Sequence, residues 1–301
     1  MSKKVISIVG PTASGKTALA IKLASYFNTE IISADSRQFY KEMSIGTAVP
    51  NEKELASVKH HFIQHKSIFD DYTVGDFEKD FMTLTNQLFK TKDVLILVGG
   101  SGLFIDAACK GLDKLPDKNE EIRSRLQADL QKYGIEKLQA EMQTLDPDYY
   151  KIMDHKNPHR LIRSIEILLQ SEGKKMSEIR NQNPQKRHFD CTYIGLNSER
   201  SLLYNRINKR VDIMVENALI AEAEKLYPYH KQNALNTVGY KELFNHFDGN
   251  YDLDFAISEI KKNTRRFAKR QITWFKRNKD IKWFDIDYNI DEVLALFEKS
   301  R

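Results

Sequence analysis

The chain opens on a short apolar run, KVISIV over Lys4–Val9, which predicts a buried strand. The apolar period then changes: Ala18, Leu19, Ile21, Leu23 and Ala24 fall on the packing side of a helix predicted over residues 17–27. EIISA at 30–34 repeats the strand signal and stops at Asp35, and DVLILVGG at 93–100 repeats it once more, closing on glycines. Between them Phe77, Phe81, Leu84 and Leu88 recur at helical spacing. Strands alternating with amphipathic helices predict an α/β fold, a parallel sheet wrapped by helices. Ligands of such sheets collect beyond the carboxyl ends of the strands, where Gly10, Asp35 and residues 99–101 fall.

From residue 117 to about 182 only helical signals remain, in NEEIRSRLQADLQKYG, GIEKLQAEMQTLDP and NPHRLIRSIEILLQSEG, each bounded by Asn, Gly or Pro. This stretch predicts a helical insertion over residues 113–187 in a core made of 1–112 and 188–301. FDCTYIGL at 189–196 returns to a strand that rejoins the sheet, and a long helix is predicted over 252–276.

Composition adds limits. A chain of 301 residues that is 41% hydrophobic can bury a full core, as one domain with a large insertion or as two unequal lobes. Its two cysteines, Cys109 and Cys191, lack disulfide or zinc spacing, so a reducing cytoplasmic setting is expected. No apolar run nears the roughly 20 residues that a bilayer span needs, and MSKK leads directly into a strand, which argues against a membrane or export role. Charge is uneven. Residues 261–279, KKNTRRFAKRQITWFKRNK, hold nine Lys and Arg and no acid, while the whole chain carries only +5. The remainder is net negative, so an acidic partner is expected at one surface.

The most specific motif is GPTASGKT, residues Gly10, Pro11, Thr12, Ala13, Ser14, Gly15, Lys16 and Thr17, in the spacing G-x-x-x-x-G-K-T. Glycines let backbone N–H groups turn toward phosphate oxygens, Lys16 adds a point charge, Thr17 can ligate Mg2+, and the helix that starts there presents its positive end. With a strand before and a helix after, this loop binds phosphate. Nucleotide hydrolases of this type hold Mg2+ with an Asp closing a second apolar strand. Here VLILV ends in Gly99 and Gly100, and Asp93 lies at its other end, so hydrolysis and motor function lose weight. The acid at the useful end is Asp35, in SADSRQFY; it reads either as a helix cap or as a site carboxylate on the same sheet edge as the loop.

Three cationic sets remain. The run at 261–279 interleaves cations with Phe267, Trp274 and Phe275, which suits either a solvated helix face or a nucleic-acid phosphate surface. Arg160 and Arg163 share one side of a helix, as surface ion-pair formers, a lid or an RNA-facing patch. Arg206 and Arg210 also share a face and could reach a phosphate. His60, His61 and His65 lie in a strand-like stretch where alternate residues point apart, so they are read as structural or substrate-lining.

Together GPTASGKTALA, SADSRQFYKEMSIGTAVP, VKHHFI, GGSGLFIDA, NPHRLIRSIEI, LYNRINKRVDIMV, NTVGYKEL and KRQITWFKR resemble the tRNA dimethylallyltransferase family, in the family's order from about residue 5 to 277. The resemblance implies a P-loop fold related to nucleotide kinases, and transfer of a dimethylallyl group from dimethylallyl diphosphate to N6 of the adenosine 3′ of the anticodon. Ser14, Gly15, Lys16 and Thr17 would then cradle the diphosphate, Thr17 through Mg2+, with Arg210 on its oxygens and Asp35 as general base. Asp35, Ser36, Arg37, Gln38, Ser101, Arg123, and His159, Arg160, Leu161, Ile162 and Arg163 would meet the tRNA anticodon stem-loop. Arg265 and Arg266 would hold the stem backbone. A cytoplasmic monomer is expected. The sequence departs from the family at Phe104, Gln64 and Val49, where Tyr, Asp and Lys are common. The family is often labelled ATP-binding for its loop, but nothing in these residues requires ATP. Three other functions stand beside this one: an adenylate dimethylallyltransferase acting on free nucleotide, a small-molecule P-loop kinase, and a non-catalytic RNA-binding module. The basic run argues against the first two, and Lys16 with Thr17 against the third.

Overall fold

The computed structural model describes residues 2–180 and 186–298; residues 181–185, within the predicted insertion, and 299–301, at the end of the predicted core, lie outside the described residues. The chain divides into two compact units, residues 1–109 with 187–301, and residues 110–186.

The first unit begins β1 (Lys4–Val9), α1 (Lys16–Tyr26), β2 (Ile31–Ser33), α2 (Glu52–Ser57), β3 (His60–His61), α3 (Val74–Leu88), β4 (Val94–Gly99) and α4 (Gly102–Lys110). The second contains α5 (Glu120–Tyr133), α6 (Ile135–Leu145), α7 (Pro147–Ile152), α8 (Pro158–Gln170) and α9 (Met176–Arg180). The first then resumes with β5 (Asp190–Asn197), α10 (Arg200–Glu216), α11 (Leu219–Leu226), α12 (Tyr240–Phe247), α13 (Leu253–Phe275), β6 (Lys282–Asp285) and α14 (Ile290–Glu298).

The six strands form one sheet in the order β3-β2-β4-β1-β5-β6, and every pairing is parallel. The α/β fold predicted from the apolar pattern is the one observed. β1 is central, with Ile6 opposite Ile96 on one side and Thr192 on the other. Alternation along β1 serves both faces: Val5 and Val9 join a core with Phe39, Phe77 and Tyr240, whereas Ile6 and Ile8 join one with Leu19 and Leu23 of α1 and Val293 of α14. Because all strands run one way, the loop after β1, the turn after β2 and the glycines after β4 emerge at one edge.

The helical unit has its own core, with Leu126, Leu138, Met142, Leu161 and Ile165 fully buried. Glu166, fully buried in it, accepts from Arg123 Nε at 2.8 Å, Arg163 Nη1 at 2.7 Å and the Asn119 N–H at 2.7 Å. These partners hold its carboxyl well below the usual range, at about 2, against the opposing effect of burial.

Candidate active site

The segment between β1 and α1 wraps into a loop because its first glycine permits what other residues do not. Gly10 has φ +144°, and a Cβ there would lie 2.3 Å from the Leu196 carbonyl oxygen. Lys16 Nζ donates to the Pro11 carbonyl at 2.7 Å, closing the loop on itself. Ala13 packs beside the Leu203, Ile207 and Ala268 cluster. The Ser14 hydroxyl is buried with no hydrogen-bond partner among the described residues, close to where a Cβ on Gly10 would stand. Gly15, at φ +87°, ends the loop, and α1 starts at the next residue.

Asp35 follows β2 in a turn, and the next helix begins only at Glu52, so the helix-cap reading is replaced by a turn-stabilising one. Its Oδ1 accepts the Arg37 N–H at 3.1 Å, and its own N–H donates to Ser33 Oγ at 3.3 Å. Each following residue is tied to a different wall. The Ser36 N–H donates to Ser101 Oγ at 3.1 Å, Arg37 Nη1 to the Ala234 carbonyl at 2.9 Å, and Gln38 Nε2 to the Ala48 carbonyl at 2.9 Å.

The loop and the turn face a cavity of about 600 Å³. Thr12, Lys16, Thr17, Asp35, Ser36, Arg37, Gln38, Ser101 and Arg210 all line it. Among its described lining residues Asp35 is the only carboxylate, set against Lys16, Arg37, Arg210, Lys241 and Arg270. Burial pushes the Lys16 ammonium down to about 8; Asp35 raises it and Arg210 lowers it further. Burial likewise lowers the Arg210 and Arg37 guanidinium groups, with Asp35 opposing in both. An enclosed excess of positive charge with unused donors is a site for a polyanion. Part of the wall is apolar, from Phe104, Val211, Met214, Val238 and Ile260. The cavity can therefore take a ligand with an anionic head and a hydrocarbon tail. Phe104, where the family often has Tyr, stacks its ring edge-on to Phe77.

The other expected site residues divide. Arg123 and Arg163 are committed to Glu166, with Arg163 Nη2 also on the Pro116 carbonyl at 2.8 Å, so both act as internal ties of the helical unit. Leu161 and Ile162, expected with their neighbours to meet the tRNA, have their side chains buried, because an amphipathic helix turns these positions to its core. His159 and Arg160 stay exposed in that stretch. Arg206 is exposed beside Gly15, and only Arg210 of that pair enters the cavity. On α13, Arg265 donates to Asn208 Oδ1 at 2.7 Å, whereas Arg266 is exposed. The charge run is less bare than its composition: Lys261 pairs with Asp212 and Lys262 with Glu259, each at 2.5 Å.

Of the histidines, His60 lines the cavity, His61 pairs with Glu30 at 2.6 Å, and His65 sits among Phe39, Phe62 and Tyr72, held down at about 4 by burial. Sequence reasoning missed Gln271, Lys241 and Arg270 as parts of the cavity. For Gln271 the only available signal was an amide at a position in step with Ala268 and Phe275 on the buried side of α13.

A family model described as IPP transferase matches residues 38–278 of this chain. A tRNA dimethylallyltransferase from Christiangramia forsetii is 56% identical over 300 residues, covering 100% of this chain and 99% of that protein. One from Flavobacterium johnsoniae is 51% identical and covers 97% of this chain and 96% of its own length. Among solved structures, the full-length tRNA isopentenylpyrophosphate transferase of Bacillus halodurans superposes with a TM-score of 0.72 at 36% identity, covering 99% of this chain and 95% of that one. A eukaryotic dimethylallyltransferase acting on tRNA gives 0.84 at 27% identity, covering 100% and 80%. With its phosphate loop, its single cavity carboxylate and a family match over most of its length, this chain belongs to the IPP transferase family.

Proposed function

We propose that this chain transfers a dimethylallyl group from dimethylallyl diphosphate to N6 of the adenosine 3′ of the anticodon in tRNA, releasing diphosphate. One observation supports this reading above others: a lone carboxylate, Asp35, shares with the phosphate loop a cavity whose remaining charge is positive and whose wall is in part apolar.

The diphosphate lies against Lys16, Arg210, the loop amides and the Ser14 hydroxyl, and the five-carbon chain against the apolar wall. The adenine amine attacks C1; the N6–C1 bond forms as the C1–O bond to diphosphate breaks, and the amine proton passes to Asp35. Cations fixed in advance around the leaving oxygens stabilise the charge that develops there. The Thr17 hydroxyl and the diphosphate oxygens suit Mg2+, a hard cation that keeps water and phosphate ligands and needs no protein cage. Among the described residues no group of three His, Cys, Asp or Glu side chains gathers to make such a cage. When bound, Mg2+ supplies further charge neutralisation at the diphosphate.

The test is isotope transfer from labelled dimethylallyl diphosphate with Mg2+, to unmodified tRNA in one tube and AMP in another. Label is expected on tRNA alone, with a loss on the order of 10² in Asp35→Ala. Label on AMP would move the reading to the free-nucleotide enzyme.

A further inference from the structure

The buried side of α13 is apolar except at one residue. Gln271 is 6% exposed, on the same side as Ala256, Ile260, Ala268 and Phe275. A primary amide buried there is costly unless both its ends are used. Both are: Oε1 accepts the Thr12 N–H at 2.8 Å, and Nε2 donates to the Gly100 carbonyl at 2.9 Å. The fit is close. A Cβ on residue 100 would stand 2.2 Å from Gln271 Nε2, so a side chain there would have to displace the amide. One turn on, Trp274 Nε1 donates to Asp106 Oδ2 at 2.9 Å, fixing the same helix to α4.

These two bonds reach both halves of the reaction centre. Thr12 belongs to the phosphate loop, and Gly100 precedes Ser101, whose hydroxyl accepts the Ser36 N–H next to Asp35. Cations of α13 that face outward, Arg266 and Lys269 among them, are exposed.

We propose that Gln271 is a positioning residue for the transfer: its buried amide holds the Thr12 amide of the phosphate loop and the Gly100 turn beside Asp35 in register on α13. Although it lines the cavity, its amide is committed to Thr12 and Gly100 rather than to a substrate. It sets the distance between the site of the leaving diphosphate and the site of the proton acceptor, through the helix whose outer face is cationic. Misplacement of reacting groups by about 1 Å can cost on the order of 10² in rate. This inference rests on the proposed transfer reaction, whereas holding the phosphate loop can be measured without it.

The experiment compares wild type with Gln271→Met, which keeps length but neither hydrogen bond, Gln271→Ser, Gly100→Ala, and the Gly100→Ala/Gln271→Ser pair. Single-turnover transfer to tRNA and calorimetric binding of inorganic diphosphate are both read. Gln271→Met is expected to lower transfer by about 10² with KM for tRNA unchanged within about twofold, and to weaken diphosphate binding about tenfold. Gly100→Ala should reproduce both losses by expelling the amide, and should add nothing once Gln271 is already Ser. Diphosphate binding and transfer within about twofold of wild type in Gln271→Met, with only a lower melting temperature, would overturn the proposal and make the glutamine a packing residue. Losses that multiply fully in the paired variant would also overturn it. If wild type transfers nothing to tRNA while the diphosphate-binding losses appear, the reaction is what fails, and the hold of Gln271 on the phosphate loop is upheld.

Discussion

At the scale of single residues, Lys16 makes the sharpest statement about the site. Its ammonium is enclosed, donates to Pro11, and is pushed down to about 8 by burial, with Arg210 adding to the effect and Asp35 opposing it. The charged form is the one that binds a diphosphate, so affinity falls as pH rises through about 8, and a bound polyanion restores the proton. Calorimetry of diphosphate binding at roughly pH 8.5, in two buffers of different ionisation enthalpy, should show uptake of up to about one proton more in wild type than in Lys16→Ala; near pH 6.5 the difference should vanish. Equal proton uptake at both pH values would mean that Lys16 stays charged in the empty site. Asp35 differs in kind. Its place is set by short-range turn bonds, which is why a sequence-local reading could find it, although it took the turn for a possible helix cap.

At the scale of elements, α13 has two working sides. Its buried side carries Gln271 to the phosphate loop, and its outer side carries the cations. Arg266 and Lys269 are exposed, whereas Arg265 is held by Asn208 and lies over the Tyr204 ring. Arg266→Glu with Lys269→Glu is therefore expected to weaken tRNA binding and to lower the slope of log affinity against log salt by about one unit for each phosphate that the variant no longer neutralises. Filter binding across a salt series measures this, and an unchanged slope would move the RNA surface elsewhere. α13 was legible from its uninterrupted helical period and the Asp252 cap, whose carboxylate accepts the Phe255 N–H at 2.7 Å. So were β1, β2, β4 and β5, whose apolar runs are buried on both faces. β6 was not: Lys282–Asp285 is a short edge strand, exposed except at the half-buried Phe284 and with charges at both ends, too polar to stand out. The partnership of Thr12 with Gln271 was equally hidden, because 259 residues separate them and nothing local marks either as the other's partner. The same holds for Glu222, whose carboxylate accepts the Ser44, Ile45 and Gly46 N–H groups and the Tyr240 hydroxyl, and so fixes a cavity wall from 177 residues away at Ile45.

At the scale of the molecule, the central strand joins the two ends of the discontinuous unit. β1 pairs with β4 from the first segment and with β5 from the second, and Lys4 is opposite Asp190. The helical unit is continuous in sequence and rests on a local core. Local contacts form sooner than those that close long loops. In refolding followed by pulsed hydrogen exchange, amides of α5, α6 and α8 should therefore gain protection before those of β1; simultaneous protection would point to one cooperative event. During synthesis the consequence is a waiting period. Until β5 leaves the ribosome, the β1 edge of a four-stranded parallel sheet stands unpaired, and such edges recruit other chains. A message that stalls between residues 110 and 186 thus releases a product prone to aggregate, and the helical unit, made during that interval, is a built-in delay between the two halves of the sheet.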